Sequence, residues 1–274
     1  MKTLLVPTDY SESSDNALAY AIGFARVIPS RIILLHVYQI PVPVMDVDVA
    51  YSIPPGMAEH NQARLEEYAG NLSQGILKGI SFECITSPGY PADEIADLAK
   101  SRKIDFILMG VSSSGNIGHA LFGSLTTAVL DRVALPLIIV PEKAKFAVPE
   151  RIAFACDYEL KVSSKLLKEL KILVRFFKAR LFVINVESPG VEVSTKKAVN
   201  SYQVETGLEG TEHSLHYLED KNMIRSLIEF EDSHNVDLLV MIPQRHIGFE
   251  KIFHSSKTHQ MAFHTHIPIL ALHE

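Results

Sequence analysis

Three segments of the first half of the chain recur, altered but in the same order, in the second half. KTLLVPTDYSESSDNAL returns as ERIAFACDYELKVSSKLL, which pairs Asp9 with Asp157 and Tyr10 with Tyr158. KIDFILMG returns as NVDLLVMI, and VALPLIIVPE returns as THIPILALHE, pairing Pro136 with Pro268. An ordered internal repeat implies two copies of one folding unit, which excludes a single irregular domain. Residues 1–145 and 146–274 are therefore expected to be two tandem domains, and 274 residues is an ordinary length for two. The paired residues lie farther apart at the start of the repeat than at its end, so the first copy is the longer one. The surplus falls in QIPVPVMDVDVAYSIPPGMAEH, residues 39–60, whose prolines predict a long irregular loop. Such a loop serves either as a solvated connection or as a lid or docking surface.

Within the first copy, β-branched and leucine-rich runs alternate with helical periodicity. The strand-like runs are Thr3–Thr8, Arg31–Val37, Ser81–Thr86, Asp105–Met109 and Leu137–Val140. Between the first two, Ala17, Leu18, Ala21, Ile22 and Ala25 recur at helical spacing behind a Ser11 to Ser14 cluster able to cap the helix. Pro91 suits the first turn of a later helix whose buried stripe is Ile95, Leu98 and Ala99. Runs such as FILM and LIIV lack polar alternation, as expected of parallel strands covered on both faces. The expected fold class is α/β: two tandem doubly wound domains, each a five-stranded parallel sheet flanked by helices. In such folds ligands bind beyond the carboxyl ends of the strands. The last strand of each copy lies at a sheet edge, so the two copies are expected to pack about a pseudo-two-fold axis, with Leu137–Val140 near Ile269–Leu272.

Charge and composition narrow the function classes. A formal net charge of -6 gives no positive field for nucleic acid or an anionic membrane. The two cysteines, Cys84 and Cys156, have no zinc-ribbon or disulfide-framework spacing and read as small buried residues. Pro7 and Asp9 interrupt the N-terminus too early for a signal peptide, and no apolar run reaches membrane-spanning length. The expectation is a cytoplasmic protein with neither nucleic acid nor membrane as partner.

Candidate site residues lie where strands end. The first strand closes on Val6-Pro7-Thr8-Asp9. The fourth closes on Met109-Gly110 and runs into a loop dense in Gly, Ser and Asn before Gly123, Ser124 and Leu125. Small residues admit an anion close to the backbone, and free N–H groups at a helix N-terminus donate to phosphate oxygens. Ser112, Ser113, Ser114 and Ser124 add hydroxyls.

VPTDYS at the first strand, GYP before a helix, and the Gly110 to Ser124 loop together resemble the universal stress protein family. The resemblance spans nearly the whole chain as two copies, specific in the first and faded in the second. It implies a fold like that of the adenine nucleotide alpha hydrolases and an ATP site in the first copy, with AMP or ADP as alternatives. A Mg ion accompanying the nucleotide is the one metal it implies. By resemblance, Asp9 contacts the adenosine beside Pro7 and Thr8, Val37 lies against the adenine, and Met109, Gly110, Ser113, Gly123, Ser124 and Leu125 wrap ribose and phosphates. Ser113 departs from the family pattern, which has glycine there, and serine is strained at positive φ. The residues alone leave other roles open: Asp9 as a helix-capping carboxylate, Val37 and Met109 as core.

In the second copy the matching loop reads MIPQRHIGFEKIFHSSK, with His254 in place of Gly123, and the Gly110 position falls at Met241 or Ile242. Pro243 removes a donor N–H. This copy keeps Asp157 but is expected to be a structural partner. His246, His254, His259, His264 and His266 crowd its end without metal-ligand spacing; a polar loop, a metal site and, with Arg245, a pH-sensitive or anion-contacting surface remain open. No Walker motif, nucleophile elbow or loop lysine supports efficient catalysis, and His119 is the one loop histidine near the expected phosphates. Three functions follow: an ATP-binding stress-response module, a scaffold or adaptor without nucleotide, and a slow ATPase. A homodimer and an unidentified protein partner are compatible with each.

Overall fold

The computed structural model describes residues 1–40, 56–73, 80–111, 124–159, 161–190, 194–243 and 265–273. In the first half, strands β1 (Lys2–Pro7), β2 (Ser30–Tyr38), β3 (Ser81–Pro88), β4 (Phe106–Val111) and β5 (Leu137–Pro141) alternate with helices α1 (Glu12–Val27), α2 (Met57–Ser73), α3 (Pro91–Ser101) and α4 (Ser124–Arg132). The second half supplies β6 (Arg151–Ala155), β7 (Arg180–Glu187), β8 (His213–Glu219), β9 (Leu238–Met241) and β10 (Ile269–Ala271). Its described helices are α5 (Ser164–Phe177), α6 (Thr195–Gly207) and α7 (Met223–His234).

Local chemistry sets the helix starts. The Ser11 side chain accepts the Ser14 amide at the N-terminus of α1, and Pro91 occupies the first turn of α3, where its missing N–H costs nothing. Ile95 and Ala99 are buried as expected from the stripe, and Leu98 packs against the same core half-exposed. The proline-rich loop is shorter than the sequence suggests, because α2 takes over at Met57; residues 41–55 lie outside the described residues.

The strands form one sheet in the order β3-β2-β1-β4-β5-β10-β9-β6-β7-β8. Each half contributes five strands that are parallel within it, and the halves meet where β5 pairs antiparallel with β10. Ile138 faces Leu270, while Ile139 faces Ile269 and Leu137 faces Ala271. Given the Pro136/Pro268 match, Ile138 and Leu270 are each other's counterparts, so a pseudo-two-fold axis passes through that pair. Joining two edges satisfies their ladder hydrogen bonds and removes two exposed edges at once. Burial follows the sheet faces and not the halves. One apolar cluster includes Leu4, Leu34, Phe154 and Leu181 under α1, α2, α5 and α6. The other includes Leu5, Ile107, Leu239 and Ile269 under α3, α4 and α7. Each cluster crosses the seam, so the halves share both cores. No helix among the described residues is long and apolar enough to cross a membrane.

Candidate functional site

Successive side chains on a strand point to opposite faces, which sorts the candidate residues. Leu5 and Met109 belong to the core under α3 and α4, and Val37 packs against it half-exposed. Pro7 continues the Leu5 face to the carboxyl end of β1. Because β1 lies between β2 and β4, Pro7 is level with Leu35 and, continuing the β1–β4 register, with Met109, and Val37 lies one step further toward the carboxyl edge on the same face. Helix α4 covers the same face through Val129 and Leu130, with Leu125 packed against it and Ser124 exposed at its N-terminus. Ser112, Ser113, Ser114, His119 and Gly123 lie outside the described residues.

Three candidates also have structural work. Thr8 is buried; its hydroxyl lies 3.0 Å from the Ser14 hydroxyl and accepts the Tyr10 amide at 3.0 Å. Asp9 is exposed, and its carboxylate accepts the Ser11 amide at 3.0 Å and the Ser11 hydroxyl. Partial burial raises the Asp9 pKa, but the Ser11 hydrogen bonds outweigh it and hold the carboxyl below its usual value. The bonds close a turn in which Tyr10 adopts φ 64°. Asp157 makes the matching turn, accepting the Glu159 amide at 3.0 Å around Tyr158 at φ 56°. A bulky residue at positive φ is uncommon, and both halves stabilise it with the same carboxylate. The repeated Asp therefore has a local reason to persist in a copy that has lost the glycines.

Gly110 is set by packing. A Cβ there would lie 1.9 Å from the Ser13 carbonyl oxygen, so the first turn of α1 reaches β4 only against glycine. Ladder register identifies its counterpart: Leu4 pairs with Phe106 and Ile152 with Leu238, which makes Met109 equivalent to Met241 and Gly110 equivalent to Ile242. Ile242 packs onto the same face, and α5 begins about one turn later relative to its Asp-Tyr pair, capped by Ser163.

Other equivalences are not legible in the sequence. His36 Nδ1 lies 3.0 Å from the Thr8 carbonyl, and at the matching position Asn185 donates to the Cys156 carbonyl at 3.0 Å. Tyr10 is enclosed by His36 at 4.5 Å, Tyr68 at 4.9 Å and the Arg64 guanidinium at 4.4 Å. Its counterpart Tyr158 instead lines a cavity of about 810 Å³ between α6 and the carboxyl ends of β7 and β8. The histidines His246, His254, His259 and His264 lie outside the described residues, as does Arg245; His266 is exposed, 4.0 Å from the Asp232 carboxylate. Among the described residues no group of three His, Cys, Asp or Glu side chains could hold a metal.

Comparison with known proteins agrees with this architecture. The family model described as universal stress protein family matches residues 1–141. A universal stress protein of Methanocaldococcus jannaschii is 29% identical over 158 residues, covering 52% of this chain and 96% of that protein. One from Thermus aquaticus is 29% identical over 141 residues, covering 51% of this chain and 98% of its own. Across the full length, the crystal structure of a universal stress protein from Archaeoglobus fulgidus shares the fold with a TM-score of 0.73 at 22% identity, covering 99% of this chain and 98% of that one. With a family model over the first half and one fold over both halves, the chain belongs to the universal stress protein family as a tandem two-copy member.

Proposed function

We propose that residues 1–145 form a domain that binds one adenine nucleotide, ATP before AMP or ADP. Residues 146–274 form a partner domain without an equivalent site, and the whole chain works in the cytoplasm as a stress-response binding module. The observation that carries this reading is the convergence of Pro7, Val37 and Met109 at the carboxyl edge of three adjacent strands, on the face where α4 presents its N-terminus. An apolar platform beside a helix N-terminus suits a purine attached to phosphates. Asp9, anchored by Ser11, is an exposed acceptor for a ribose hydroxyl at the same edge. In the second half Ile242 replaces Gly110 and the first helical turn is withdrawn, which removes the corresponding backbone approach. The chain acts as a binder whose contacts respond to nucleotide, with any ATP hydrolysis slow.

Calorimetric titration with ATP tests this. One site per chain is expected, weakened tenfold or more by Gly123→Leu, about 1.4 kcal/mol, and unchanged by His254→Ala. Two equivalent sites, or a greater loss from the His254 change, would overturn the asymmetry; no binding at all would leave the scaffold reading. Steady-state phosphate release near the ~1 per second of ordinary kinases would make the chain an enzyme instead.

A further inference from the structure

The cavity beside Tyr158 lies in the second half, on the sheet face opposite the one carrying Val37 and Met109. Its volume, about 810 Å³, falls in the range of small-molecule sites. The cation on its wall is already committed. Lys197, with 12% of its side chain exposed, pairs with Glu187 at 2.7 Å and Glu159 at 2.9 Å. Burial lowers its pKa, but these two carboxylates outweigh that and keep it charged. Among the described residues lining the cavity, no free positive charge is left for a phosphate.

The remaining wall has the opposite character. Glu205 and Glu219 line the cavity, are exposed, and have no ion-pair partner among the described residues. Glu219 accepts the Gly190 amide at 3.1 Å, which fixes its carboxylate without neutralising it. Tyr202 and Tyr217 are 66% and 62% exposed, and the Ser201 hydroxyl lies 2.8 Å from the Tyr217 hydroxyl, which orients that ring. Tyr158 is buried beneath Tyr217, 6.4 Å away between centroids, so the accessible π surface of the cleft is that of Tyr202 and Tyr217. Two carboxylates without a counter-charge call for more than one positive charge, and the tyrosine faces call for aliphatic surface between the charges.

We propose that this cleft binds a linear aliphatic polyamine, with its ammonium groups on Glu205 and Glu219 and its methylene chain across Tyr202 and Tyr217. The site is independent of the nucleotide reading, because it lies in the other half and on the other face. At the corresponding position of the first half, among the described residues, His36, Tyr68 and Arg64 close around Tyr10.

Calorimetric titration of the intact chain with spermidine, with and without saturating ATP, tests the proposal. One saturable site is expected, present whether or not ATP binds. Glu205→Gln and Tyr202→Ala change exposed side chains, so the melting temperature is expected to hold while each weakens spermidine binding roughly fivefold to tenfold. Absence of a saturable site would overturn the proposal. So would equal binding by the wild type and both variants, because that result marks general attraction to a chain of net charge -6.

Discussion

The two halves share a sheet order and a turn but differ at the positions that decide access to the carboxyl edge. Asp9-Tyr10 and Asp157-Tyr158 make the same left-handed turn with the same amide contact. His36 and Asn185 span the same two strands with different chemistry. Where the first half has Gly110, the second has Ile242; the first draws α1 onto β4 and the second starts its helix a turn later. Where α3 buries Ala99, α7 buries Glu231, at the same distance before the matching Asp105 and Asp237. Those two aspartates do one job, each accepting the amide that opens the neighbouring strand, from Thr3 and from Arg151 at 2.8 Å. What is common therefore maintains the backbone frame; what differs is side-chain volume and chemistry at the carboxyl edge and, at the amino edge, one buried carboxyl.

The largest effect should come from breaking the axis that relates the halves. Leu270 is 2% exposed opposite Ile138, and Leu270→Asp would bury an unpaired carboxylate in the seam. We expect a loss on the order of 4 kcal/mol, read by urea unfolding, with both halves affected because both cores cross the seam. A loss confined to the second half would show that the cores are energetically separate.

Next in size is the buried carboxyl that the first half lacks. Burial pushes Glu231 up to about 7, partly offset by the Thr265 hydroxyl that donates to it at 3.0 Å, with Asp232 adding a smaller upward push. A folded-state pKa raised above the ordinary 4.5 means that the stability it contributes is complete below that value and is lost as pH rises through about 7. Glu231→Gln should flatten this window, leaving the variant about 3 kcal/mol ahead in relative stability at pH 8 compared with pH 4. Parallel pH profiles for the two proteins would refute the assignment.

The third test transplants the second half's residue into the first. Gly110→Ile should cost about 1–3 kcal/mol, because the Cβ meets the Ser13 carbonyl and the first turn of α1 must retreat. Amide exchange should then speed up at Ser13 and Ser14 and stay unchanged in α5. If the first turn of α1 keeps its protection, glycine is not what admits it.

Several features are legible in the amino-acid sequence. The five strands of the first half, the Ser11 cap and the Pro91 helix start rest on contacts within one or two turns of chain, where residue type and geometry are tightly linked. The seam pairing follows from the edge position of each last strand. That Pro7, Val37 and Met109 lie near the carboxyl ends of their strands is legible, because the apolar runs mark those ends. The structural roles of Asp9, Thr8 and Gly110 are not, since each depends on where α1 lies against the sheet. Nothing in the sequence marks the cavity, because Tyr158, Lys197 and Tyr217 are distant along the chain and share no motif.

That the chain is two copies of one α/β unit, and that the first copy keeps the glycines, follows from the sequence alone, because hydrophobic period and repeated motifs are local properties. The merging of the copies into a single ten-stranded sheet, with its cores divided by face, arises only in the folded chain. So do the correspondence of Gly110 with Ile242 and the cleft beside Tyr158, whose counterpart Tyr10 is enclosed by His36, Tyr68 and Arg64. These outcomes depend on ladder register and on side chains from separate strands and helices meeting in space, and neither is encoded in the spacing of any one segment.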